Sequence, residues 1–162
     1  MARALIVGCG CHGRELAAQL AGLGWQVRGT SRRADGLEAI GVAGFESASA
    51  DPDRPGTVLE LCGDVTVVVW LLGDAFGESE TTSAIHGSRL RSLLEKLVDS
   101  PVRGFVYEAA GSVDRETLTE GARIVEEAGG RWRIPVTLLG EDRRAPGWAE
   151  RTAAAIAGLL TG

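Results

Sequence analysis

The stretch Val65-Thr66-Val67-Val68-Val69-Trp70-Leu71 is apolar at almost every position. A strand with one wet face alternates polar and apolar residues, whereas a strand covered on both faces reads as an unbroken apolar run. Such a run calls for a parallel sheet with helices on either side. Shorter runs rich in valine and leucine recur along the chain, and six strands are predicted, over residues 4–7, 26–30, 42–46, 65–71, 104–107 and 136–139. The segments between them carry helical spacing: Leu16, Leu20 and Leu23 share one face, as do Leu90, Leu93, Leu94, Leu97 and Val98. Gly24, Pro101 and the pair Gly129-Gly130 fall where helices should stop, and residues 148–160 read as a closing helix.

With right-handed crossovers, this alternation gives a three-layer α/β fold with a doubly wound parallel sheet of order 3-2-1-4-5-6. A chain of 162 residues has room for one such domain, and no linker, repeat or low-complexity tract divides it. The formal charge of -5 is scattered, which argues against a nucleic-acid face. No apolar run approaches the length of a membrane span, and the strand pattern starts at Ala4 with no leader-like segment, so no membrane association and a cytoplasmic location are expected. Three cysteines, Cys9, Cys11 and Cys62, do not make a disulfide framework.

The first strand runs directly into Gly8-Cys9-Gly10-Cys11-His12-Gly13, and the first helix opens there. In that context the spacing is a dinucleotide fingerprint of the Rossmann type. Gly8 can take the tight turn, Gly10 leaves room for a diphosphate against the backbone, and Gly13 lets helix and strand pack closely. The helix N-terminus adds unpaired N–H groups and partial positive charge. A ligand-free glycine turn, or an FAD or S-adenosylmethionine site, are the alternatives. Cys11 and His12 lie in the same loop and are counted with its glycines as cofactor-binding residues, His12 as a candidate hydrogen-bond partner of a phosphate. Their spacing with Cys9 lacks a second ligand pair, so no metal site is expected. About 20 residues on, where an NAD site usually carries a carboxylate for the ribose, the chain has Thr30-Ser31-Arg32-Arg33. Hydroxyls and guanidinium forks there suit a 2′-phosphate, so NADP(H) is the preferred cofactor, with NAD(H) second and solvated loop charges the alternative.

These residues, with Ala50-Asp51-Pro52-Asp53 after the third strand, Leu71-Leu72-Gly73 after the fourth and Gly104-Phe105-Val106-Tyr107 in the fifth, resemble the atypical or extended short-chain dehydrogenase/reductase superfamily, including NAD-dependent epimerases and NmrA-like regulators. The resemblance implies that Asp51 accepts a hydrogen bond from the adenine amino group and that Leu72 and Gly73 line the ribose and nicotinamide side. Asp51 is equally readable as a turn or capping residue. The family's Tyr-x-x-x-Lys pair cannot be drawn here, because Tyr107 is the single tyrosine and follows Lys96, the single lysine. Ala109 and Ala110 stand where a Ser or Thr would assist a carbonyl. The region after residue 139 is short beside the substrate-binding portion of extended members.

Two functions follow as expectations. One is a dinucleotide-binding or redox-sensing module that reports to a protein partner. The other is an NADP-dependent oxidoreductase or epimerase-like enzyme acting on an unknown small molecule, with Glu108 at the carboxyl end of the fifth strand as acid or base and Asp74 and Ser112 nearby. His86 is read as a surface or packing residue, and Trp70 and Trp132 as core. The last helix, through Trp148, Ile156, Leu159 and Leu160, either covers the core or builds a homodimer.

Overall fold

The computed structural model describes residues 2–161. Along the chain run β1 (Arg3–Val7), α1 (Cys11–Gly22), β2 (Gln26–Ser31), α2 (Ala34–Val42), β3 (Glu46–Ser49), α3 (Pro55–Leu59), β4 (Val67–Trp70), α4 (Ser79–Ile85), α5 (Ser88–Leu97), β5 (Gly104–Glu108), α6 (Arg115–Trp132), β6 (Val136–Leu139) and α7 (Trp148–Gly158). The strands form one sheet of order β3-β2-β1-β4-β5-β6, and every pairing is parallel. β1 and β4 meet at the centre in the register Leu5 to Val68 and Ile6 to Val69.

Alternate residues of the central strands feed two separate cores. Leu5, Val7, Val68, Trp70, Phe105 and Tyr107 face one side, where Leu90, Leu93 and Leu94 of α5 and Ile124 and Val125 of α6 cover them. Ala4, Ile6, Val67, Val69 and Val106 face the other, under Leu16 and Leu20 of α1, Ile40 of α2 and Trp148 and Ile156 of α7. All four residues of β4 are buried, as a doubly covered strand requires. Trp70 is fully buried and Trp132 packs at the margin of the first core. Trp148 and Ile156 thus belong to this chain's own core. No helix among the described residues is long and apolar enough to cross a membrane.

Four local expectations need correction. The third strand lies at Glu46–Ser49 and not at 42–46: Val42 ends α2 and is exposed, and Gly44, at φ 95°, turns the chain into the strand. β3 is an edge strand with polar Glu-Ser-Ala-Ser, so it lacks the apolar signal that Val42-Ala43-Gly44-Phe45 mimics. Leu23 and Val98 sit just beyond the ends of α1 and α5 and are exposed, because each helix stops before its apolar face comes round again. The crossover from β4 to β5, where the sequence offers the single helical face Leu90 to Val98, holds two helices, α4 and α5.

The fourth correction concerns Gly129-Gly130, which does not end its helix. α6 continues to Trp132 and stops at Arg133, which takes the left-handed conformation (φ 55°, ψ 41°). Gly129 is a packing residue instead: a Cβ there would stand 2.9 Å from Val136 Cγ1 and 3.0 Å from the Ile134 carbonyl, whereas Gly130 faces open space. The two adjacent positions should therefore respond oppositely to the same change. Gly129→Ala is expected to cost about 1–3 kcal/mol through overpacking, and Gly130→Ala to gain up to about 1 kcal/mol through helix propensity. Urea denaturation midpoints of the two variants check this.

Candidate functional site

In open parallel sheets, ligands bind outside the carboxyl ends of the strands where the strand order reverses. Here that point lies between β1 and β4, and a cleft of about 540 Å³ opens there. It is large enough for most of a nucleotide ligand. Its walls come from the loop after β1 (Gly8, Gly10), the first turn of α1 (Arg14), the end of β2 (Thr30 to Arg33), the loop after β3 (Asp51, Asp53) and the loop after β4 (Leu72, Asp74, Phe76).

Gly8 makes the turn at φ 85°, where a Cβ would meet the Leu71 carbonyl at 2.6 Å. The turn is tied to β2: the Gly8 N–H donates to Thr30 Oγ1 (3.3 Å) and the Cys9 N–H to the Thr30 carbonyl (3.0 Å). Thr30 is thereby a buried brace of the loop. Gly10 caps α1 with no side-chain partner, and a Cβ on it would meet nothing within 4 Å, so the first amides of the helix face open space. A Cβ added at Gly13 would stand 3.2 Å from Cys9 Sγ, so the bare backbone lets the helix pack close to the loop. Burial pushes the Cys9 thiol up to about 11, although the nearby Arg14 works against this, so the thiol stays protonated at neutral pH.

Of the remaining residues singled out from the sequence, Ser31 accepts from the Arg33 N–H (3.1 Å), and Arg33 pairs with Asp35 (3.2 Å). Arg32 is exposed and makes no ion pair among the described residues. Asp51 spends one oxygen on the Asp53 N–H (2.9 Å), a turn of the kind its residue type favours, while lining the cleft. Cys11, His12 and Gly13 do not line the cleft. Cys11 is exposed, and His12 lies edge-on to Trp148 (centroids 6.4 Å apart, planes at 89°) beside a second groove between α1 and α7. Gly73 stands behind the cleft wall: its N–H donates to Glu108 Oε1 (2.7 Å), its carbonyl accepts from the Val113 N–H (2.9 Å), and an added Cβ would collide with the Ala110 carbonyl.

Glu108 is fully buried, with both carboxylate oxygens engaged by the Arg143 guanidinium, Nε to Oε2 at 3.0 Å and Nη2 to Oε1 at 2.6 Å. Arg143 Nη2 also reaches the Leu71 carbonyl (3.3 Å), and Asp74 lies 3.5 Å from its Nε. Burial works against the Asp74 charge, yet the Ser112 N–H (2.8 Å), Arg144 and Arg143 hold its carboxyl below the usual range. Proton transfer by Glu108 would require Arg143 to swing away first. Breaking a buried pair by removing one partner typically costs about 3–5 kcal/mol, so Glu108→Ala should lower stability by that order, measured by chemical denaturation.

Sequence reasoning missed Arg14 and Arg143, the two cleft arginines outside the Arg32-Arg33 pair. Arg14 was legible, since it follows Gly13 on the first helical turn. Arg143 was not, because its place depends on how the loop after β6 folds back over β4 and β5.

His86 caps α4 and is buried, with Nε2 2.9 Å from the Leu72 carbonyl and Nδ1 2.6 Å from the Tyr107 hydroxyl. A carbonyl can only accept, so Nε2 carries the proton and Tyr107 donates to Nδ1. Burial lowers the His86 pKa from 6.5, against the bond to the Leu72 carbonyl, and keeps the ring neutral. Burial, then the Glu108 charge, raises the Tyr107 pKa. This hydroxyl sits inside the core, away from the cleft. Because folded His86 takes up a proton less readily than the unfolded chain, its contribution to stability is full above pH 6.5 and falls as pH drops below that value. Unfolding free energies from urea titrations between pH 7.5 and 5.5 should fall as the pH drops, with a slope of up to roughly 1.4 kcal/mol per pH unit from this group, a component absent in His86→Phe.

No family model and no curated protein matches the sequence. The fold has many solved counterparts. A short-chain dehydrogenase from Streptomyces avermitilis is 18% identical, with 99% of this chain and 84% of that one aligned at a TM-score of 0.68. UDP-glucuronic acid 4-epimerase from Bacillus cereus, solved with NAD, is 16% identical over 84% of this chain and 54% of that one, at 0.66. The Citrobacter triphenylmethane reductase, solved with NADP(H), is 15% identical over 83% and 48%, at 0.62. The chain spans about half the length of the epimerase and the reductase. The chain shares with these proteins the three-layer Rossmann-type fold.

Proposed function

We propose that this chain binds a nicotinamide dinucleotide, NADP(H) in preference to NAD(H), and acts as a dinucleotide-binding or redox-sensing module without standard reductase chemistry. The observation that carries the reading is the cleft at the β1–β4 divergence, open at Gly10 and flanked by Arg14, Arg32 and Arg33. A diphosphate on the amides that open α1 would direct an adenosine half toward β2 and β3. There the exposed Arg32 guanidinium suits a 2′-phosphate, with Thr30 and Ser31 bracing the strand end and Asp51 beside the adenine. The other half would lie toward Leu72, with Gly73 behind it in the wall. Proteins of the same fold solved with NAD and with NADP(H) are consistent with both cofactors.

The missing Tyr-x-x-x-Lys pair and the burial of Tyr107 favour binding over turnover. The engagement of both Glu108 oxygens favours an anchoring role for that carboxylate, although an oxidoreductase using it as acid or base stands as the alternative.

Calorimetric titration tests the proposal. Hydrogen bonds to a charged group contribute roughly 1.5–3 kcal/mol, so NADPH should bind at least about tenfold more tightly than NADH, and Arg32→Ala should erase most of that ratio. Gly10→Val should abolish binding of both. Absence of heat with either dinucleotide would overturn the reading.

A further inference from the structure

A guanidinium carries five N–H donors. In Arg143, the Nε–H serves Glu108 Oε2, and Nη2 serves Glu108 Oε1 and the Leu71 carbonyl. Its Nη1 has no partner among the described residues. The Arg143 side chain is nine-tenths buried. Yet Nη1 is not sealed in, for the one buried side-chain donor left without a partner among the described residues is Trp148 Nε1. The free edge therefore meets open space, and Arg143 borders both the cleft and the groove between α1 and α7. A buried cation held by the fully buried Glu108 carboxylate, with Asp74 3.5 Å from its Nε and two N–H donors left over, can still donate to the oxygen of a ligand. Its place is set by Leu71 after β4 and Glu108 at the end of β5, on the opposite side of the cleft from Arg32 and Arg33.

We propose that Arg143 is an anion-recognition residue at the inner end of the cleft, where its free Nη1 edge takes a carboxylate or phosphate oxygen of a second small ligand bound beside the dinucleotide. This rests on the dinucleotide reading above, which fills the glycine-loop end and leaves the inner end for a second molecule. Glu108 is then a positioning residue: its carboxylate holds the guanidinium plane and leaves one edge free. A ligand bearing a planar carboxylate matches that edge better than a neutral carbonyl compound, since both interacting groups are charged.

The test is an NMR titration of the NADPH-saturated protein with inorganic phosphate and, separately, oxalate. With the dinucleotide in place, the other phosphate-binding donors are occupied. Saturable shifts are expected at Leu72, Asp74 and the residues around them. Arg143→Gln alone would leave Glu108 buried without its partner, so the informative variant is Glu108→Gln/Arg143→Gln, in which two amides pair and the Gly73 contact has an acceptor. This double variant should bind the anions at least about tenfold more weakly, as expected for a lost charge-assisted pair. Its NADPH affinity is read in the same experiment, so that a loss confined to the anions is told apart from a loss shared with the dinucleotide.

Any of four results overturns the proposal: no saturable shift, equal anion binding by the double variant, shifts confined to the groove between α1 and α7, or a parallel loss of NADPH affinity. The last would mean that Arg143 serves the dinucleotide's own diphosphate. Failure of the parent protein to take up NADPH would instead sink the dinucleotide reading, and the same titrations on the free protein would then read Arg143 by itself.

Discussion

β1 is the hinge of the architecture, because the chains continuing from it and from its neighbour β4 leave the sheet toward opposite faces. α1 goes to the side of α2 and α7, while the segment after β4 goes to the side of α5 and α6. Two parallel strands whose exits diverge must leave a gap at their carboxyl ends. Everything that reads as functional is arranged around that gap. The glycine turn keeps its floor low, Thr30 braces the turn from β2, and the loops after β4, β5 and β6 close the other side.

The two sides of the gap are built by different means. Toward β2 and β3 the wall is made of exposed side chains such as Arg32 and Arg33, just beyond the end of β2. Toward β4 and β5 it is a network in which Gly73, Glu108, Arg143 and Asp74 are mutually hydrogen-bonded or paired and largely withdrawn from water. In low dielectric such a network is costly if any member is left unpaired and rigid when all are satisfied. His86 extends the same logic one layer deeper, fixing the Leu72 carbonyl and the Tyr107 hydroxyl with its two nitrogens.

Much of the frame was legible in the sequence because central parallel strands advertise themselves: the run ending at Leu71 and the glycine spacing after Val7 fix the sheet order and the first turn through local patterning alone. β3 was misplaced because an edge strand needs no apolar residues, and the apolar Val42 to Phe45 next to it supplied a false one. Gly129 was misread because a glycine that admits a neighbouring strand looks, in one dimension, like one that ends a helix. In the site, the contributions of β1, β2 and the loops after β3 and β4 were within reach, since each lies a fixed distance from a strand end. The Arg143–Glu108 pair was out of reach, because 35 residues separate its members and only the packed sheet brings them together. His12 shows the converse: adjacency to the glycines in sequence did not keep it in the cleft, since the second residue of a helix already faces another quadrant.

The short, polar β3 has a consequence for the sheet's margin. An unpaired strand border offers a row of N–H and C=O groups to any extended chain that drifts alongside, and proteins discourage such docking with brevity and charge. Four residues beginning with Glu46, whose carboxylate is drawn across to Arg28 on the neighbouring strand, leave little template for a stranger to zip onto. The feature that hid this strand from pattern reading thus also guards the molecule against fibrous self-association.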